Sequence, residues 1–167
     1  MTEQERQAFL AEPHVGVLSV ASDTGRPPLT IPIWYGYRPG GTLSFFTGTQ
    51  GRKARKTGLI QKAGVVSLCV QREDFPYKYV TVEGTVVQTD RPPSAEQMLA
   101  IVQRYLPEDQ ARGFVEAELA HPGTELVLFT IRPDRWLAAD FSEGAGRPAR
   151  PDRARGAMCV AGSEAAR

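Results

Sequence analysis

LTIPIWYGYRPGGTLSFFTG, residues 29–48, decides what kind of fold this chain can form. LTIPIWYGY, 29–37, is rich in β-branched and aromatic residues and reads as a strand. RPGG, 38–41, has the chemistry of a tight turn, and TLSFFTG, 42–48, reads as the returning strand. Pro32 interrupts the first of these runs. A proline has no N–H to give to a ladder, so the strand is expected to lie at an edge, carry a bulge or open at that point.

Outward from this hairpin the pattern stays β-rich. TEQERQAFLAEP, 2–13, predicts a short amphipathic helix with Thr2 as N-cap and Glu5 three residues on. HVGVLSVAS, 14–22, is a strand, and DTGRPP turns the chain into residue 29. GRKARKTGLIQKAG, 51–64, predicts a helix of about three turns ending near Gly64. GVVSLCVQR, 64–72, is a nearly continuous apolar run and is expected to be a buried strand. YKYVTVEGTVVQT, 77–89, alternates, with Tyr77, Tyr79, Thr81 and Glu83 on one face and Val80 and Val82 on the other. Residues 93–119 read as helical with a break near Pro107, and TELVLFTIRP, 124–133, is a sixth strand followed by DRWLAADF.

Six strands joined mostly by short links, one helix between the third and fourth, and one helical insert predict a mainly β fold, an antiparallel barrel decorated by helices. A doubly wound sheet would need helices alternating regularly with strands. Neither a GxGxxG fingerprint nor a GxxxxGK[ST] phosphate loop occurs.

With 167 residues, 41% hydrophobic and 23% charged, the chain is expected to be one globular domain. Residues 1–141 would form it. From Ser142 to Arg167 the sequence is rich in Gly, Ala, Pro and Arg, and this tail is expected to be disordered or weakly docked. No apolar run approaches the roughly 20 residues that span a bilayer. The polar, acidic start shows no signal-peptide pattern, so a cytoplasmic address is expected. Cys69 and Cys159 are too few and too far apart for a disulfide framework or a zinc site, and Cys69 reads as a buried free thiol. His14 and His121 have no second His or Cys at metal spacing.

Charge is unevenly spread. No acid lies between Asp23 and Glu73, while Arg26, Arg38, Arg52, Lys53, Arg55, Lys56, Lys62 and Arg72 do. This favours an anionic ligand held in one region. In FFTGTQGRKARK, 45–56, two glycines precede a helix N-terminus, where unpaired N–H groups and the helix dipole favour an anion. Arg52 could grip a phosphate with its fork and Lys53 with a point charge. From charge alone, a solvated cationic helix face is the commoner explanation of such a run. A net charge of +1 argues against a nucleic-acid surface. Trp34, Tyr35, Tyr37, Phe45, Phe46, Tyr77 and Tyr79 could wall a flat ring or simply pack the core.

Taken in order, HVGVLSVASDTGRPPLTIPIWYGY, LSFFTGTQGRKARK, AGVVSLCVQ, YVTVEGTVV and TIRPDRWLAADF resemble the pyridoxamine 5′-phosphate oxidase-like family of split barrels across residues 10–141. F-x-T followed by G-R-K-A, and the later V-x-V-E-G, are the most specific elements. The resemblance implies a six-stranded antiparallel split β-barrel and a homodimer binding FMN, or a related deazaflavin, at the subunit interface. It further implies an oxidoreductase that moves hydride to or from a small organic substrate, with no nucleic-acid or membrane partner. A flavin carrier or a tetrapyrrole (haem) binder on the same fold is the alternative. By motif matching, Arg52 and Lys53 would hold the cofactor phosphate. Thr30, Ile31, Pro32, Ile33, Phe46 and Thr47 would line its ring and tail. Gln71, Tyr79 and Trp136 match positions presented from the partner subunit. No catalytic side chain is implied, and Arg55 and Lys56 are expected to be solvated. Two departures stand out: no Arg-x-His element follows Phe141, which argues against vitamin B6 oxidation, and LTIPIW replaces basic residues on the second strand, which leaves room for a deazaflavin.

Overall fold

A computed structural model describes residues 1–22, 25–49 and 55–142. Its order is α1 (Glu3–Ala11), β1 (Gly16–Val20), β2 (Leu29–Ile33), β3 (Gly36–Tyr37), β4 (Leu43–Gly48), α2 (Arg55–Ala63), β5 (Val65–Arg72), β6 (Lys78–Asp90), α3 (Ala95–Val102), α4 (Glu108–Ala120) and β7 (Leu126–Asp140). Of the expected tail, 142–167, only Ser142 is described, and the rest of it and the Gly51-Arg52-Lys53 segment lie outside the described residues.

One antiparallel sheet holds all seven strands, in the order β2-β1-β5-β6-β7-β4-β3. The run 29–37, expected as one strand, is two: β2 pairs with β1 at one edge, and β3 pairs with β4 at the other. Seven strands at about 4.8 Å spacing would put the two edges roughly 29 Å apart in a flat sheet. Ile33 and Gly36 are three residues apart and span at most about 11 Å. The sheet must therefore curl into a barrel, and the mainly β split-barrel expectation holds with seven strands in place of six.

The crossing between the edges is clamped by hydrogen bonds. Tyr35 is fully buried and its hydroxyl donates to the Leu10 carbonyl at 3.0 Å. Its N–H donates to the Tyr105 hydroxyl at 3.0 Å, which lies within reach of the His14 carbonyl at 2.9 Å and the Tyr35 carbonyl at 3.2 Å. Arg104 stacks over the Tyr35 ring and donates to the Leu10 and Glu12 carbonyls. With its backbone turned to these partners, Tyr35 cannot continue the β2 ladder. Pro32 sits on an edge strand, one of the places its missing N–H allows.

Inside the barrel, alternate residues form the core: Leu18 and Val20, Leu68 and Val70, Val80 and Val82, Phe45, Val127, Phe129 and Ile131. Helix α1, opened by the Thr2–Glu5 capping box, contributes Phe9 and Leu10, and α2 contributes Leu59 and Ile60 before Gly64 ends it at φ 67. The helical insert breaks at Pro107 as expected and packs as α3 and α4 on the outside of β4 and β7. There Met98, Val102, Ala111, Val115 and Leu126 make a second core against Trp34, Phe46 and Phe114.

Strand β7 runs seven residues further than the sequence suggests. Pro133 sits opposite Gly84, and the register shifts there so that Asp134 is extra on β7. Gly84 is required at this close approach, because a Cβ there would lie 2.5 Å from Ile131 Cγ2 and 2.6 Å from the Arg132 carbonyl oxygen. Past the bulge the segment DRWLAAD stays on the β6 ladder.

Candidate functional site

The strand register builds the outer face of β2, β1, β5, β6 and β7 row by row. Thr30, Ser19, Ser67, Glu83 and Arg135 are successive cross-strand partners, and Pro32, Val17, Cys69, Thr81 and Leu137 form the next row. Gln71 and Tyr79 face each other in a third row, next to Ala139. Apolar side chains stay open to solvent here: Val65 is 54% and Leu137 43% exposed. A groove of 510 Å³ opens at one end of the face, between Val20, Pro28, Val65 and Ser67 on one side and Glu83, Asp134 and Arg135 on the other. At the opposite end, Tyr77 touches the rings of Tyr79 and Phe141 and donates to Gln71 Oε1 at 3.1 Å.

This face gathers only part of the expected site. Thr30 and Pro32 project outward from β2, with the Thr30 hydroxyl 3.1 Å from that of Ser19, and Gln71 and Tyr79 share the face with them. Ile31 and Ile33 point the other way and pack on the barrel core. Four consecutive strand residues cannot present their side chains to one surface, because the pleat alternates. Phe46 faces outward but is covered by α3 and α4. Thr47 points inward at the end of β4, 4% exposed, and its hydroxyl has no partner among the described residues. Trp136 sits opposite Val82 on the inner side of the sheet, beneath Arg6, and so does not join Gln71 and Tyr79 within one subunit. Arg52 and Lys53 lie outside the described residues; β4 and α2 flank their segment.

Several residues in and around this face were not readable from residue type. Cys69, expected to be buried, is half-exposed in the central row. In VVSLCV the small residues Ser67 and Cys69 fall at every second position, and that alternation was the available signal. Lys56, expected to be solvated, is half-buried, and desolvation pushes its ammonium pKa down. Arg55 is exposed as expected and donates to the Ser22 hydroxyl at 3.1 Å. At the aromatic end, the Lys78 ammonium 2.6 Å from Asp140, helped by Ser142, holds that carboxyl well below the usual carboxylate range.

Both histidines are engaged. The His14 ring stacks on Phe9 and lies 3.1 Å from a Glu12 carboxylate oxygen, and His121 contacts the Thr124 hydroxyl at 2.9 Å. Among the described residues no group of three His, Cys, Asp or Glu is placed to hold a metal, and no helix is long and apolar enough to cross a membrane.

Among solved structures, an F420 reductase is 25% identical, with 78% of this chain and 94% of that chain covered at a TM-score of 0.57. A FAD-binding protein from Mesorhizobium loti is 19% identical over 83% of this chain and 92% of that one, TM-score 0.52. A heme binding protein from Mycobacterium smegmatis is 17% identical over 87% of this chain and 55% of that one, TM-score 0.57. The last two likenesses, below 25% identity, show the fold alone. No curated protein matches the chain. The family model described as pyridoxamine 5′-phosphate oxidase matches residues 2–138, nearly the whole described domain, and the chain belongs to that family.

Proposed function

We propose that this protein is a flavin- or deazaflavin-dependent oxidoreductase that works as a homodimer, with the cofactor held between the subunits and a small organic molecule as substrate. The observation that carries this reading is the bare outer face. It keeps Val65, Leu137 and Phe141 exposed, yet it belongs to a domain whose other outer face is sealed by its own helices. Apolar side chains left open on one sheet face suit a surface that something covers. A second subunit would cover it and shield a flat ring from water.

The residues present fit such a cofactor. The Pro32–Val17–Cys69 row offers a shallow, largely apolar floor, and Thr30 offers a hydroxyl beside it. At the end of β4 the buried Thr47 hydroxyl has no partner among the described residues, next to the strand exit that leads to Gly51-Arg52-Lys53. Arg52 and Lys53 would neutralise the phosphate, and Tyr79 and Gln71 would approach the ring from the partner subunit. When bound, the cofactor supplies the hydride chemistry; the chain supplies affinity, orientation and exclusion of water. F420 is a deazaflavin, so the similarity to an F420 reductase favours that branch alongside FMN. A haem would need an axial donor; His14 and His121 are engaged, which leaves Cys69 and Tyr79 as the donors this face offers to that alternative.

Titration of the purified protein with FMN and with a deazaflavin, followed by fluorescence, tests the proposal. At least one should bind saturably. The Arg52→Ala/Lys53→Ala double variant should lose several kcal/mol of affinity, as two charge-assisted contacts of about 1.5–3 kcal/mol each imply. Equal affinity in that variant would remove both residues from the site.

A further inference from the structure

A second cleft lies on the other side of the sheet, where the barrel is split. Up to Ile131, β7 is paired on both edges, but beyond the Asp134 bulge it pairs with β6 alone. Arg6 and Gln7 of α1, Tyr37 and Thr42 of the β3–β4 hairpin, and Arg132 and Trp136 of β7 enclose 280 Å³ at this opening.

Arg6 makes the cleft chemically distinct. Its guanidinium stands 4.5 Å over the Trp136 ring, the residue is half-buried, and Nε is buried with no partner. No carboxylate or carbonyl among the described residues accepts from its side chain. Arg104 provides the internal contrast: it too is stacked on an aromatic ring, at 4.9 Å, with its Nε buried and unpartnered, but its terminal Nη2 donates to the carbonyls of both Leu10 and Glu12. A guanidinium removed from much of the solvent and left without acceptors is a poor structural element but a good receptor for a carboxylate. Nearby acids are otherwise engaged: the Glu3 carboxylate accepts from Gln7, and Asp134 accepts from Arg132 and Thr85.

We propose that this cleft binds a small planar carboxylate, an aromatic or heteroaromatic acid of a single ring. The planar fork of Arg6 matches a carboxylate in two parallel hydrogen bonds. Trp136 and Tyr37 offer aromatic surface to a ring attached to it. The volume suits one ring, since pockets for drug-sized ligands begin at about 300 Å³. A tetrahedral phosphate could meet Arg6 but would leave the aromatic walls unused. The proposal does not rest on the cofactor reading, because Trp136 points to the opposite side of the sheet from the Pro32–Val17–Cys69 row and its test needs no cofactor.

The chain has two tryptophans, so its amide NMR spectrum carries two indole N–H signals. Trp34, stacked on Tyr105 against the second core, is the internal reference. Benzoate added to the full-length protein should shift the Trp136 signal saturably and leave that of Trp34 in place, while inorganic phosphate should bind at least tenfold more weakly. Arg6→Gln should weaken benzoate at least tenfold. Arg6→Lys, which keeps the charge and the stem but not the fork, should not restore it, and it serves as the second variant if Arg6→Gln folds poorly. No shift with benzoate, wild-type benzoate affinity in both Arg6 variants, or phosphate binding as tightly as benzoate would each overturn the proposal.

Discussion

The two outer faces of this barrel follow the same alternation and end differently. On β4 and β7 the outward side chains Phe46 and Leu126 disappear beneath α3 and α4. On β1, β5 and β7 the outward Val17, Cys69 and Leu137 form one row, in which Val17 and Cys69 stay partly exposed and Leu137 is exposed. The covered face is finished by the domain itself, and its residues carry folding stability. In the proposed dimer a second subunit would finish the bare face, so its residues are expected to carry little of the stability of the single chain.

The largest expected effect lies on the covered side. Met98→Ala removes a fully buried side chain from the second core and should cost about 2–5 kcal/mol in urea denaturation. Gly84→Ala comes next, because its Cβ would press on the Arg132 backbone; a loss of about 1–3 kcal/mol is expected on the same assay. Tyr105→Phe should cost about 1–3 kcal/mol, since it strips the Tyr35 N–H of its acceptor at the crossing between the sheet edges. Leu137→Asp should leave the circular dichroism spectrum unchanged while raising the dimer dissociation constant at least tenfold, about 1.4 kcal/mol, by sedimentation velocity. If that variant unfolds the chain and leaves association untouched, the contrast between the faces fails.

The smallest effect concerns pH. Because the folded pKa of Asp140 is depressed by Lys78, its contribution is present above the ordinary aspartate value near 4 and is lost as pH falls toward the folded value. The stability difference between the wild type and Asp140→Asn should therefore shrink below about pH 4 in pH-dependent denaturation.

How much of this was legible in the sequence depended on how local the cause was. The Thr2–Glu5 cap, the break at Pro107, the end of α2 at Gly64 and the alternation of Val80 and Val82 all rest on neighbouring residues, and all stand in the structure. The split of residues 29–37 between two edges depends on Tyr105 and Arg104, some 70 residues away, and no local pattern encodes it. Continuation of β7 past Pro133 depends on the missing Cβ of Gly84 on the neighbouring strand. For the site, residue types were readable but facing was not. Thr30, Pro32, Gln71 and Tyr79 meet on one surface, whereas Ile31, Ile33 and Trp136 point to the other, which follows only once the register is known.

The most direct measurement of the central claim is the mass and visible spectrum of whatever small molecule the purified protein releases on denaturation, set against its subunit stoichiometry. The account predicts a flavin or deazaflavin near one per chain, from a dimer. A monomeric protein that releases neither and cannot be loaded with FMN or a deazaflavin would contradict it.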